Sequence, residues 1–287
     1  MRLPAGLRAS MDLAKIVLCS LIGCSALFGY FLAASDISAG AFITGFGIFF
    51  LAAGCGTLNS IQERHLDRLF VRTRKRPLPE GRIGVSFSFF QAIVLWVGGM
   101  LFLWSVSTDF LPLFVSFLAV VLYNGVYTPL KQLTVLAIFP GAVCGALPPY
   151  IGWLAGGGKP LAFEALLLFS LLFLWQVPHF WLILLRHGED YKKNIIPSFF
   201  SIFGEKVIKR LFVTWIGSLA AVMILFTVLP AGNVVRFLVV LNGLALLSCF
   251  FSGLTGKGPL RYRQLFGVLN FSLLFHMVIV SVGNIVS

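Results

Sequence analysis

The chain has little charge, and what it lacks most is acid. Charged residues make up 11% of its 287 positions, and Asp and Glu together number ten. Soluble domains carry about 25% charge, so this composition does not supply a water-facing surface of ordinary kind. Histidine is scarce, at four, and the five cysteines (Cys19, Cys24, Cys55, Cys144, Cys249) stand singly in apolar runs. No CxxC or other metal-ligand spacing occurs. Scattered thiols in odd number read as small buried hydrophobes, which excludes a disulfide framework. Low-complexity tracts and a disordered tail are absent. So is the alternation of polar and apolar residues that marks a membrane barrel. The "GGG" at 156–158 lacks the Lys-Ser/Thr and the helix context of a phosphate loop.

What is present is apolar: 59% hydrophobic residues, 30 of them Phe, and a mean hydropathy of +0.96. Lipid solvates such side chains and penalises charge. A spanning helix needs about 20 mostly apolar residues. Nine runs qualify, at 16–34, 39–59, 84–106, 110–128, 133–155, 160–185, 208–229, 233–252 and 265–286. Backbone groups find no water in lipid, so these runs must be helices. The expected fold class is all-α: a polytopic membrane helical bundle with nine transmembrane helices, forming one domain over residues 1–287. Arg2, Arg8 and Lys15 before an apolar run, with "LIGC" at 21–24, imitate a cleavable leader. The run continues to Ala34 and eight more follow, so it is read as the first span.

Lys and Arg set orientation in membranes. With the N-terminus inside, all 22 except Lys159 and Arg236 fall on inner segments. The expected placement is an inner (cytoplasmic) membrane, with the N-terminus and the acidic clusters on the cytoplasmic side and the C-terminus outside. The basic excess is then mostly a topology device. No nucleic-acid partner is needed, and membrane lipid with anionic head groups is the expected neighbour of the exposed cations.

Acids do little for topology, so their positions call for another reason. Asn59, Glu63 and Asp67 are spaced four apart at the inner end of the second span. If that helix continues past the membrane, they share one face. Arg64, Arg68, Arg72, Arg74, Lys75 and Arg76 follow closely. Two readings stand at this point. Glu63 with the nearby arginines can form ordinary solvated ion pairs. Alternatively, the carboxylates and the amide hold Mg²⁺, which takes oxygen ligands and is completed by substrate phosphates, while the arginines hold those phosphates. The stretch "RHGEDYKKNIIPSF" (186–199) again sets acids, Glu189 and Asp190, beside Arg186, Lys192 and Lys193, at the same face. Two such clusters converging in a bundle would suit two metal ions on one diphosphate.

These residues resemble the intramembrane (UbiA-type) prenyltransferase superfamily, which carries an N-x-x-x-D-x-x-x-D motif after its second helix and another acidic motif after its sixth. The "RTRKRPLPEG" at 72–81 is similar to the R-T-x-x-R-P-L stretch of these enzymes. "YTPLKQLTVLAIFPGAVCGALPPYIGWLA" (127–155), "LWQVPHFWLILLR" (174–186) and "EDYKKNIIP" (189–197) resemble the protoheme IX farnesyltransferase (haem O synthase) branch. The departures are Glu63 for Asp, His65 where the branch often has Asp, and Glu189 for the first Asp of D-D-Y. Asn194 agrees with the haem branch.

The resemblance implies an enzyme of the intramembrane prenyltransferase fold. It would transfer farnesyl from farnesyl diphosphate to a vinyl group of haem B, giving haem O, with Mg²⁺ as cofactor and haem B as a substrate. Asn59, Glu63, Asp67 and Asp190 would be catalytic, with Glu63, Asp67, Asp190 and Glu189 at the metal. Arg64, Arg72, Arg76 and Lys193 would contact the diphosphate. A haem A synthase or a terminal oxidase would be assembly partners. His179, deep in the sixth span, either holds the haem or bonds a neighbouring helix. His65, His187 and His276 read as structural or solvated. Tyr127, with Tyr123 and Asn124, either meets the diphosphate or the reacting cation or simply packs. Gly141 and Gly145 read as a helix contact. A quinone-type or other aromatic prenyltransferase is the enzyme alternative. A haem transporter or chaperone is the non-enzyme one, although a transporter would keep its polar groups nearer the midplane.

Overall fold

The computed structural model describes residues 4–186, 203–255 and 261–286. Every regular element among them is helical. In chain order these are α1 (Ala5–Leu13), α2 (Ile16–Ala34), α3 (Ala39–Gln62), the single turn α4 (Arg64–Asp67), α5 (Val85–Val106), α6 (Leu111–Val121), α7 (Thr128–Leu130), α8 (Ile138–Ala155), α9 (Phe163–Arg186), α10 (Glu205–Leu225), α11 (Asn233–Thr255) and α12 (Tyr262–Val286). Nine stretches among the described residues are long and apolar enough to cross a membrane, and they coincide with the nine expected spans. The second reaches Gln62 and the ninth begins at Tyr262. Both exceed the apolar runs because helical hydrogen bonding continues into the polar flanks, where hydropathy no longer reports it.

The fourth span is not uniform. α6 runs into a π-helical segment, Leu122–Tyr127, and then into α7. Pro129 follows two residues later and has no N–H to offer the preceding turn. The wider turn shifts the register of Tyr123, Asn124, Tyr127 and Thr128, a device often found at functional sites.

One apolar cluster runs through α2, α3, α5, α6 and α8–α12. Large side chains such as Phe46, Phe90, Trp104, Phe117, Phe237 and Phe271 point outward, as a lipid-facing surface requires. The bundle closes where α12 returns to α2: Asn284 Nδ2 donates to the Phe31 carbonyl and to Ser35 Oγ, each at 2.8 Å. At the α2–α8 crossing the backbones touch. A methyl built on Gly29 would overlap the Pro149 carbonyl oxygen, and one on Gly152 the Ala26 carbonyl oxygen. Close approach of this kind replaces the hydrophobic driving force that lipid removes.

Candidate active site

α3 does continue beyond its apolar run. The Glu63 N–H donates to the Asn59 carbonyl at 3.0 Å, and the Asp67 N–H to the Glu63 carbonyl at 2.8 Å. The two bonds carry one helical face across the slight break at Glu63, whose backbone (φ −97°, ψ 4°) separates α3 from α4. Asn59, Glu63 and Asp67 are all buried, at 2%, 8% and 6% exposure. Burial to this degree departs from the solvated surroundings of the ion-pair reading, although both acids do pair with cations.

Each of the three meets a different cation. Arg76 grips Asp67 through one guanidinium nitrogen, 2.9 and 2.8 Å from the two carboxylate oxygens. Lys131 Nζ lies 2.8 Å from Glu63 Oε1. Lys15 Nζ donates to Asn59 Oδ1 at 2.8 Å. The turn after α4 is held by Thr73, whose hydroxyl donates to the Asp67 carbonyl at 2.9 Å. This fixes the return that brings Arg76 back to the acid nine positions before it.

The fourth span forms the facing wall. Asn59 Nδ2 donates to Thr128 Oγ1 at 3.3 Å. Asn124 Nδ2 donates to the Cys55 carbonyl at 3.1 Å and to Gln62 Oε1 at 3.2 Å, while Gln62 Nε2 returns a bond to the Asn124 carbonyl at 2.9 Å. The buried Asn124 Oδ1 has no hydrogen-bond partner among the described residues. Lys131 sits 5.2 Å from the centre of the Tyr127 ring, within cation–π range. Tyr127 in turn packs on Tyr123 and Phe180, at 5.4 and 6.2 Å between ring centres.

α1, read in the sequence only as a basic N-terminus, packs beside the end of α3. Ala9 and Leu13 are buried against Ile61, Leu78 and Ile83, and Ser10 exchanges hydrogen bonds with Gln91. Between α1 and α2, Lys15 takes the left-handed backbone conformation (φ 53°, ψ 46°), which is strained for any residue with a Cβ. Burial lowers its pKa to about 8; the Arg76 and Lys131 charges add to the effect, and Glu63 and Asp67 oppose it.

The remaining sequence candidates divide. Arg64 donates to the Ile61 carbonyl at 2.9 Å, capping the end of α3, and Arg72 is exposed. His179 lies apart from the polar cluster, between Trp175 and Phe266 at 4.3 and 5.0 Å, with Phe180 leading from it toward Tyr127. Its Nδ1 has no hydrogen-bond partner among the described residues. His276 is fully buried against Phe226, in keeping with a structural part. Gly141 and Gly145 are helix contacts of a specific kind, leaving room for Tyr127 and Gln176 respectively. Glu189, Asp190 and Lys193, with Lys192 and Asn194, lie outside the described residues. Lys15, Gln62, Thr73, Thr128 and Lys131 belong to the cluster and were not singled out in the sequence. Lys131 is the lone cation between the fourth and fifth spans.

Residues 22–279 match the UbiA prenyltransferase family. The chain belongs to that family. It is therefore a prenyltransferase and an integral multi-pass membrane protein, and the transporter and chaperone readings fall away. Among its relatives, the protoheme IX farnesyltransferase of Oleidesulfovibrio alaskensis is 35% identical over 283 residues, 98% of each chain. That of Geobacter sulfurreducens is 39% identical over 224 residues, 78% of this chain and 81% of the relative. Solved structures share the fold at low identity. A digeranylgeranylglyceryl phosphate synthase matches with a TM-score of 0.81 at 16% identity, over 98% of this chain and 99% of that one. A UbiA homolog from Archaeoglobus fulgidus bound to GPP and Mg²⁺ matches with a TM-score of 0.67 at 16% identity, over 95% and 99%.

Proposed function

We propose that this enzyme transfers a farnesyl group from farnesyl diphosphate to a vinyl group of haem B, giving haem O. The observation that carries the reading is the buried face Asn59–Glu63–Asp67 with a cation on each member. It sits at the inner end of an apolar bundle whose relatives at 35–39% identity are named for this reaction.

The donor set fits Mg²⁺. It offers an amide oxygen and two carboxylates, with no thiol or imidazole among them, and hard cations select such oxygens. Arg76, Lys131 and Lys15 already bring positive charge to the same three oxygen-bearing groups, which supports reading them as cation ligands. Glu63, Asp67 and Asn59 would hold the metal, joined by Asp190 and Glu189. When bound, Mg²⁺ would neutralise charge on the leaving diphosphate.

The chain's own residues do the rest. Arg76 and Lys131 are positioned to take over phosphate oxygens once the carboxylates turn to metal, stabilising the negative charge that grows as the C–O bond breaks. Arg72 and Lys193 would serve the same diphosphate, with Arg64 a weaker contributor because it is engaged with Ile61. Tyr127, Tyr123 and Phe180 place aromatic faces beside the cluster, where they attract the allylic cation left on the prenyl chain. The apolar walls exclude water until the vinyl group has attacked. His179, held between Trp175 and Phe266, is suited to orient the porphyrin through its unpaired Nδ1. The metal-side and diphosphate residues would face the cytoplasm.

Purified protein with Mg²⁺, farnesyl diphosphate and either haem B or 4-hydroxybenzoate separates the readings by mass spectrometry. Farnesylated, hydrated haem is the expected product. Prenylation of the benzoate alone would sink the haem assignment and favour a quinone-type acceptor.

A further inference from the structure

The cluster at the inner end of α3 is unbalanced. Arg76 faces Asp67 and Lys131 faces Glu63, each at 2.8 Å, so both charges are matched. Lys15 reaches the same face but bonds the neutral amide oxygen of Asn59. Among the described residues the cations that converge here outnumber the carboxylates by one, and the surplus one is Lys15. A lysine brought from water into such a place is a cost to the fold unless something pairs with it. The backbone bears a second cost at the same residue, because Lys15 is one of two non-glycine residues among those described with a left-handed φ. Strain of this kind persists where the surroundings impose it, and it gathers at ligand clamps.

The surroundings do impose it. α1 is anchored to the site's own scaffold through Ala9 and Leu13 on Ile61, Leu78 and Ile83, and through Ser10 on Gln91. α2 starts directly after Lys15, whose carbonyl accepts from the Cys19 N–H at 3.1 Å. The hinge between the two helices therefore aims the side chain inward, along α3, to the first residue of the motif. An aliphatic or neutral residue would satisfy the hinge equally well, and a glycine would adopt it without strain.

We infer that Lys15 is a diphosphate-binding residue of the prenyl-donor site, held on Asn59 until the donor arrives. Binding a polyanion beside the motif gives Lys15 a direct negative partner, which none of the described carboxylates is. Asn59 is then released to offer its oxygen elsewhere, and the ammonium group needs only a change of side-chain rotamer to follow the phosphate. The inference rests on the prenyl-diphosphate reading above and adds to it a residue outside both acidic motifs.

The test is binding and kinetics with Lys15→Met and Lys15→Arg in detergent-purified full-length protein. The probe is inorganic pyrophosphate with Mg²⁺, titrated calorimetrically, followed by KM for farnesyl diphosphate and for haem B. Lys15→Met is expected to weaken pyrophosphate about tenfold and to raise KM for farnesyl diphosphate similarly, with KM for haem B unmoved. Lys15→Arg is expected to recover most of both. Wild-type affinity in Lys15→Met would overturn the inference while leaving the function intact. An equal loss in both variants, or a fall in thermal stability with affinity unchanged, would make Lys15 a structural residue and overturn it too. Failure of the wild-type protein itself to bind pyrophosphate and farnesyl diphosphate would instead sink the functional reading, and this inference with it.

Discussion

Replacing Asp67 by Asn separates the two jobs that this carboxylate can have. Asp67 is buried, with 8% of its side chain exposed, and Arg76, 28% exposed, is its ion-pair partner at 2.8 Å. Breaking a fully buried pair leaves an uncompensated charge at a cost of about 3–5 kcal/mol. Here Arg76 keeps contact with water, and Asn retains one oxygen to accept from it. Both reduce the cost, to about 2 kcal/mol. For a chain of this size that corresponds to a midpoint lowered by about 4–8 °C in a detergent melt. A stability effect of that size leaves the protein folded at assay temperature.

Catalysis should suffer separately. Taking one charged group from a site that stabilises a leaving diphosphate costs roughly 10²–10³ in rate, equivalent to about 2.7–4 kcal/mol. The two effects are told apart by adding Arg76→Gln. The double variant no longer strands a cation, so its melting point should return most of the way to wild type, a non-additivity expected of contacting residues. Its activity should not return, since metal and phosphate partners are then both missing. Haem O formation within about threefold of wild type in Asp67→Asn, across a Mg²⁺ titration, would refute the reasoning. Asp67 would then be only an anchor for Arg76.

Three further outcomes follow from the same structure. Gly152→Ala should be severe, because the added methyl lies 2.8 Å from the Ala26 carbonyl carbon as well as on its oxygen; a cost of about 3 kcal/mol, at the upper end for overpacking, would appear as a lost or aggregated peak in size-exclusion chromatography. Gly217→Ala, with nothing within 4 Å, should behave like wild type in the same run, and equal behaviour of the two would contradict the α2–α8 contact. His179→Ala should raise KM for haem B about tenfold and leave pyrophosphate binding unchanged; an unmoved haem KM would return His179 to a packing role. A phosphatase reporter fused after Ser287 should be active and a cytoplasmic fluorescent reporter dark, as a C-terminus outside requires; the reverse pattern would invert the proposed orientation.

The spans were legible because hydropathy is summed over about 20 residues, so single exceptions such as Asn124 or His179 do not break a run. The motif face was legible for a local reason: four-residue spacing is read on one helix, and the bonds from Glu63 to Asn59 and from Asp67 to Glu63 keep that helix going. What partners the face was not legible. Lys15 and Lys131 entered the sequence reading as topology charges, and a topology count is indifferent to which residue a lysine touches. Lys15 reaches Asn59 across 44 positions only because α1 folds back on Ile61 and the hinge turns left-handed. The π segment was equally hidden, since Leu122–Tyr127 has the composition of ordinary spanning helix and its effect lies in register.

The positive-inside count and the site need not compete for the same residues. Topology needs a number of cations on the inner side and tolerates any arrangement of them. A diphosphate site needs particular ones, brought together by packing. Under the proposed function Arg76, Lys131 and Lys15 would satisfy both demands at once, while Arg64, turned to the end of α3, would meet the first and contribute little to the second. Reversing the charge elsewhere in the connection between α4 and α5, at Arg74 or Lys75, should therefore disturb insertion before it disturbs donor binding. For the three cations at the motif face the order should be the opposite.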